Sequence, residues 1–375
     1  MRIKRIGIHV RGAALLAVAA LLFTACGDGD ANGTDVEPED TEEPADTEEP
    51  ADTEEPEEGA DGDGLEDLIA AAQEEGELVW YNSGPPDQAT ALHEAFTEEY
   101  GIPVEMLRLT TGPLSERYSS EQEAGTVFAD VITVANPLFF NQGFEQGWFQ
   151  ETSVDEIPNI ANLSDTDLHR ENTMVVGSIA LVVMAYNTDL VSEDERPESF
   201  EDLLDPRWDG ELIMGDPRGV PVWLLTNWFF HETFGPEFLE GLRDNNFTVI
   251  DSVIPGGQSV AAGEHAILPY TLKGNHDDLI DEGAPIDYIE VDQTTGMPFD
   301  WAVSAEAPNP NAAKLFLNFM LSHEGQSIYN NNSGISTIEE PVENSFEMPE
   351  EFFPFLPGIE DAIENQDTIT GLLGL

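Results

Sequence analysis

The hydrophobic positions that follow residue 76 alternate between the two spacings typical of strands and helices. Two apolar stripes at helical spacing, one from Ala89 to Tyr100 and one ending near Ala124, separate three short apolar runs. Such a β-α-β-α-β order predicts a parallel sheet with right-handed crossovers, and it places a ligand crevice at the carboxyl ends of the strands. The predicted strands are Glu77–Tyr81, Val104–Leu109 and Asp130–Ala135.

The next segment, Met174–Asn187, is a largely apolar run that predicts one or two buried strands passing between lobes. After this run, strand and helix patterns alternate again. Near the end of the chain, apolar residues from Ala312 to Met320 recur at helical spacing, and Pro310 is suited to the first turn of that helix. Between these two regions the pattern predicts strands and helices at Glu211–Gly215, Val222–Phe234, Pro236–Arg243, Thr248–Ile250, Ala266–Pro269 and Ile286–Glu290.

The length of the body favours two lobes. Residues 65–375 exceed the roughly 250 to 300 residues that one hydrophobic core supports. We expect residues 65–180 plus about 292–332 to form lobe 1, and about 181–291 plus 333–375 to form lobe 2.

The N-terminal segment has the features of an export signal and a tether. Basic residues precede an uncharged, mostly apolar stretch from Ala13 to Ala25, which is too short for a membrane span of about 20 residues. Cys26 follows directly, and residues 1–25 therefore resemble a bacterial lipoprotein signal that leaves a lipidated cysteine. Residues 26–64, rich in acid and proline and free of bases, predict a disordered linker.

Charge narrows the choice of partners. The chain has 76 acidic and 13 basic residues and a formal net charge of −63, which argues against nucleic acid as a partner. Repulsion of that size would destabilise a compact fold at low ionic strength, so we expect adaptation to high salt. Cys26 is the only cysteine, so no internal disulfide can form.

Five segments in this order resemble the solute-binding proteins of ABC importers, in the group that includes the ferric-ion-binding proteins: Leu78–Tyr81, Ala129–Val131, Tyr186–Leu190, Asp205–Gly210 and Ala307–Phe316. The resemblance implies a type II periplasmic-binding-protein fold, in which two α/β lobes joined by crossing strands close on a small solute. It further implies an extracytoplasmic protein, held to the membrane through lipidated Cys26, that delivers its solute to a permease. We expect a monomer that is not an enzyme and has no cofactor.

The candidate ligand site consists of loops that follow strands in both lobes. Helix starts at Ser83-Gly84 and Thr110-Thr111-Gly112 suit an anion, and Arg218 could clamp it from the other lobe unless it pairs with Asp216 instead. An anionic or zwitterionic solute is therefore expected. The candidate residues are Tyr81, Asn82, Ser83, Thr110, Thr111, Gly112, Asn136, Arg218, Gln258 and Tyr270.

Ferric ion is an alternative cargo. Relatives that bind it carry adjacent tyrosines just after the strand that corresponds to Ala266–Pro269, whereas Tyr270 stands alone here. Tyr81 and Tyr270 would be the metal ligands if iron were transported, since hard oxygen donors suit Fe(III).

Two other classes remain open. The seven histidines are scattered, and neither a zinc-helix spacing, a G-x-S-x-G elbow nor a phosphate-binding G-x-x-x-x-G-K sequence occurs. A secreted hydrolase that relies on carboxylates is still an alternative, because acids are everywhere in the chain. A passive adhesin is the third, and it would lack a cleft that can close.

Overall fold

The computed structural model describes residues 61–375, without the side chains of residues 61–63 and 357. The described residues belong to one compact unit. The predicted signal, Cys26 and most of the predicted linker lie outside this range. Helix α1 spans Asp61–Glu75, so the linker prediction was wrong for its last four residues. No helix within 61–375 is long and apolar enough to cross a membrane.

The first half of the fold confirms the predicted β-α-β-α-β unit. Strand β1 pairs in parallel with both β2 and β3, so the carboxyl ends of all three strands share one edge of the sheet. The bounds are β1 Leu78–Asn82, α2 Pro86–Tyr100, β2 Val104–Arg108, α3 Thr111–Glu123, β3 Val131–Val134 and α4 Pro137–Gln146.

Two long strands connect the halves of the fold. After the short β4 (His169–Arg170), strand β5 spans Met174–Asn187 and is buried at every position, as the apolar run predicted. Strand β10, Gln293–Val303, lies between β3 and β5, antiparallel to both, and its pairing with β5 shifts register at Phe299/Asp300. The sequence did not predict β10, because its polar residues interrupt the apolar pattern.

The second half of the fold again alternates strands and helices. Strands β6 and β7 are parallel, and the far end of β5 pairs with β8 and β9. Helix α7 was not predicted, since the pair Gly256-Gly257 disfavours a helix. The bounds are β6 Ile213–Gly215, α5 Pro221–Phe234, α6 Pro236–Asp244, β7 Thr248–Ile250, α7 Val253–Ala261, β8 Ile267–Leu272, α8 Asp277–Asp281 and β9 Ile286–Ile289.

The C-terminal residues return to both halves. Helix α9 begins at Pro310 as predicted, and Glu75 of α1 accepts hydrogen bonds from the backbone N–H groups of Asn311 and Ala312 at its start. The bounds are α9 Pro310–Met320, α10 His323–Tyr329, β11 Glu351–Phe353, α11 Phe355–Glu364 and α12 Gln366–Leu373.

The hydrophobic core is divided into clusters that follow the two halves. The largest cluster draws its buried members from residues 182–291 and 355–373. Two others, on opposite faces of the first sheet, draw on residues 72–175 and 301–329. Each half therefore has packing of its own, and the exact lobe boundaries stay a prediction.

Candidate ligand site at the carboxyl ends of the strands

The loops that follow β1, β2 and β3 meet in a polar edge. The hydroxyl of Thr111, at the start of α3, donates to Ser83 Oγ across 3.2 Å. The side-chain N–H of Asn136, the N-cap of α4, points to Ser115 Oγ at 3.5 Å. The structure thus brings the predicted candidates Ser83 and Thr111 into contact, and it places Asn136 against the same helix, α3.

Helix α3 begins without a side-chain cap. Thr110 occupies the N-cap position with extended backbone, yet its hydroxyl makes no capping hydrogen bond, and the first turn contains no acid. Thr110 and Gly112 are exposed and Thr111 is half-buried. The N–H groups at the start of a helix have no partner within the helix, so this end offers donors and partial positive charge to a ligand.

Acids are unevenly distributed among the helices that follow strands. Helices α3, α4, α5 and α7 follow β2, β3, β6 and β7, and none has an acid in its first turn. By contrast, α2 and α8 follow β1 and β8 and carry Asp87 in α2 and Asp277 and Asp278 in α8. On the first sheet the starts of α3 and α4 therefore favour an anion more than the start of α2 does.

Two predicted residues of β1 are buried inside the sheet. Tyr81 is 2% exposed, and its hydroxyl donates to Glu121 Oε1 and accepts from Arg117 Nη2, each across 3.1 Å. Burial raises the pKa of Tyr81 above its ordinary value. Asn82 is fully buried and accepts a hydrogen bond from the N–H of Gly84 at 2.8 Å. Both side chains shape the loop after β1 and do not line an open surface.

Tyr270 is a core residue in this structure. Its hydroxyl donates to the carbonyl of Gly215 at 2.5 Å and accepts from Asn227 Nδ2 at 3.1 Å, while its ring stacks on Trp223. Burial raises its pKa, which opposes the tyrosinate that a ferric ion requires. Tyr81 and Tyr270 belong to different core clusters, and each hydroxyl is hydrogen-bonded to neighbours of its own.

Arg218 pairs with Asp216, which is the alternative to a ligand clamp that the sequence left open. Its Nε and Nη2 atoms donate to the two carboxylate oxygens of Asp216 at 2.8 and 2.6 Å, and this pair lowers the pKa of Asp216. The guanidinium therefore faces its own loop and does not reach across as a clamp. Gln258 lies exposed on α7.

Sequence reasoning missed Arg108, the last residue of β2. It is exposed, and its Nε donates to the carbonyl of Gly84 in the loop after β1 at 3.1 Å. Within residues 65–375, seven of nine basic side chains have a carboxylate within 4.0 Å, whereas Arg108 and Arg196 do not. The feature of the sequence that could have identified Arg108 is its position two residues before Thr110, the N-cap of α3.

A groove adjoins this polar edge. Its volume is about 540 Å³, and it lies between α3 and α4. Leu138 of the lining packs against the core cluster of the second half, so the start of α4 lies where the two halves meet. The rest of the lining combines hydroxyl and amide groups with one carboxylate and one aromatic ring, from Ser115, Ser119, Ser120, Asn136, Gln142, Glu116 and Phe139.

Comparisons with known proteins agree with this architecture. Residues 127–253 match the model of a family described as bacterial extracellular solute-binding protein. An uncharacterised protein of Haemophilus influenzae is 26% identical over 272 residues, which cover 70% of this chain and 77% of that protein.

Solved structures share the fold. Iron-bound HitA from Pseudomonas aeruginosa superimposes with a TM-score of 0.64 at 19% identity, covering 78% of this chain and 99% of HitA. The substrate-binding protein of an ABC transporter from Agrobacterium tumefaciens gives 0.66 at 18% identity, covering 79% and 94%. The predicted α/β periplasmic-binding-protein fold and the resemblance to extracellular solute-binding proteins are confirmed.

Proposed function

We propose that this protein is the extracytoplasmic receptor of an ABC-type importer, which captures a small anionic or zwitterionic solute and delivers it to a membrane permease. The observation that carries the proposal is the polar edge at the carboxyl ends of β1, β2 and β3. There the uncapped start of α3 and the exposed guanidinium of Arg108 occur in a fold shared with substrate-binding proteins.

Capture by such a fold depends on its two halves. A solute that contacts both halves stabilises the closed arrangement by its differential affinity for the closed over the open state. The groove is lined by residues of α3 and of the start of α4, in the first half. Leu138 of this lining packs against the core cluster of the second half, which supports binding close to where the halves meet. Strands β5 and β10, which run from one half to the other, are the natural hinge.

The N-terminal sequence supports a tethered location. Lipidation of Cys26 would anchor the protein to the outer face of the cell membrane, and the acidic linker would hold the folded part away from the lipid surface. We propose that the receptor acts as a monomer in high salt and performs no chemistry on its solute.

Ferric ion is the second candidate cargo, because iron-bound HitA shares the fold. The burial of Tyr270 counts against it, since this hydroxyl is already committed to Gly215 and Asn227. Within the described residues no group of three His, Cys, Asp or Glu side chains is placed to hold a metal ion. The organic anion is therefore the better-supported solute.

A ligand screen tests the proposal. The Cys26→Ser chain, purified in high salt, would be screened by thermal shift against small organic anions, sugars and ferric citrate, and each mixture would be checked for products. A receptor raises its melting temperature with one class of anion and leaves that compound intact. Turnover of a glycoside would support the hydrolase, whereas the absence of any ligand-dependent shift would contradict the receptor.

A further inference from the structure

The guanidinium of Arg108 is fixed in position at the carboxyl edge of the first sheet. Its Nε–H is committed to the carbonyl of Gly84, which leaves the N–H groups of the two terminal nitrogens as donors for a ligand. The side chain is exposed, and no carboxylate of the described residues lies within 4.0 Å of it. An unpaired base is unusual in a chain with a net charge of −63.

The start of α3 lies against the same loop. Thr111 donates to Ser83 Oγ, and Arg108 donates to Gly84, the next residue along the chain. The guanidinium and the uncapped helix start therefore contact adjacent residues of one loop. Positive charge from the side chain and from the helix dipole is concentrated there.

A buried hydroxyl points at this loop from below. Tyr329 is 1% exposed, and its hydroxyl has no hydrogen-bond partner among the described residues. A Cβ atom on Gly84 would lie only 2.1 Å from that oxygen, so the hydroxyl touches the backbone of the loop. Burial raises the pKa of Tyr329, and the positive charge of Arg108 acts in the opposite direction.

We propose that Arg108, the loop Ser83-Gly84 and the start of α3 bind the phosphoryl or phosphonyl group of an organic solute. The inference rests on the proposed receptor function and names its substrate class. The available donors are the terminal nitrogens of Arg108, the backbone N–H groups of Thr111 and Gly112, and the hydroxyls at the edge. This set offers more donors than the two oxygens of a carboxylate require, which suits the three oxygens of a phosphoryl or phosphonyl group better. Arg218 takes no part, because Asp216 already occupies its fork.

Inorganic phosphate is the minimal probe of this site. Its dissociation constant would be measured by ³¹P NMR line broadening at constant ionic strength with the Cys26→Ser chain. Arg108→Gln should weaken phosphate binding roughly tenfold or more, as expected for the loss of a charge-assisted hydrogen-bond pair. Arg196→Gln removes the other base of residues 65–375 that has no carboxylate within 4.0 Å, and it should stay within about twofold of the parent chain, as should Arg218→Gln.

Two further variants separate binding from folding. Arg108→Lys keeps the charge but loses the fork, and it should fall between Arg108→Gln and the parent chain. Tyr329→Phe should weaken phosphate binding several-fold without lowering the melting temperature of the free protein, since the hydroxyl has no partner to lose. Unchanged binding in Tyr329→Phe would remove that hydroxyl from the proposed site.

The outcomes distinguish this inference from the receptor function. Equal phosphate affinity in the parent chain and Arg108→Gln would overturn the phosphoryl site. So would a parent chain that retains an organic solute but does not bind phosphate, and in that case the receptor function would stand. A parent chain that binds neither phosphate nor any organic solute would overturn both.

Discussion

Replacing Tyr270 by phenylalanine tests whether Tyr270 is a core residue or a metal ligand. The variant keeps the ring on Trp223 but removes the hydroxyl that donates to Gly215 O and accepts from Asn227 Nδ2. Asn227 Nδ2 keeps its bond to Trp223 O at 2.8 Å, so the main loss is an unpaired buried carbonyl. Such a loss costs about 1–3 kcal/mol of unfolding free energy.

Urea denaturation at fixed high KCl measures this loss. With a denaturant slope of about 3 kcal/mol/M, the midpoint should fall by roughly 0.3–1 M with no change in slope. Tyr186→Phe is the matched control, because it lies in the same core cluster and its hydroxyl makes no hydrogen bond within the described part of the chain. We expect that the Tyr270→Phe variant retains its solute. Unchanged stability together with lost solute or lost iron would refute the core assignment.

Three other predictions test the loop, the connecting strands and the acid surface. Gly84→Ala should destabilise the protein because its Cβ would meet Tyr329 Oη, whereas Gly371→Ala, with nothing within 4 Å, should be neutral or slightly stabilising in a melting experiment. Burial raises the pKa of Asp300 from its ordinary value of 3.8 to about 6, although the positive charge of Arg170 acts in the opposite direction. The contribution of Asp300 to the stability of the fold should therefore fall as the pH rises from 3.8 to about 6. The stability difference between the parent chain and Asp300→Asn should therefore shrink over that range in urea titrations, and a constant difference would contradict the shift. Lowering KCl from about 3 M to 0.1 M lengthens the distance over which charges repel from a few ångströms to about 10 Å, and it should lower the melting temperature. A melting temperature that does not depend on KCl would contradict adaptation to salt.

The periodic elements of the fold were predictable from sequence because burial on one face imposes a spacing. The run Met174–Asn187 became a single buried strand, and the stripe from Ala312 became α9. Strand β10 was not predictable from its own residues. Its polar positions are satisfied by tertiary partners, as when Thr294 donates to the carbonyl of Val182.

The candidate site was only partly predictable for a similar reason. Ser83, Thr111 and Asn136 follow strands, so topology alone places them on one edge. The orientation of a side chain is not set by topology, and Tyr81 and Tyr270 turned inward to internal partners. Arg108 and Arg218 differ only in whether a carboxylate lies in reach, which depends on the conformation of each loop.

Mass spectrometry of the small molecules that co-purify with the protein tests the central claim most directly. The Cys26→Ser chain and its Arg108→Gln variant would be purified in parallel in high salt, denatured, and their released solutes identified. We expect a single phosphorus-bearing organic anion, in near-stoichiometric amount with the parent chain and depleted in the variant. Stoichiometric ferric ion, or no solute even after exposure to cell extract, would contradict it.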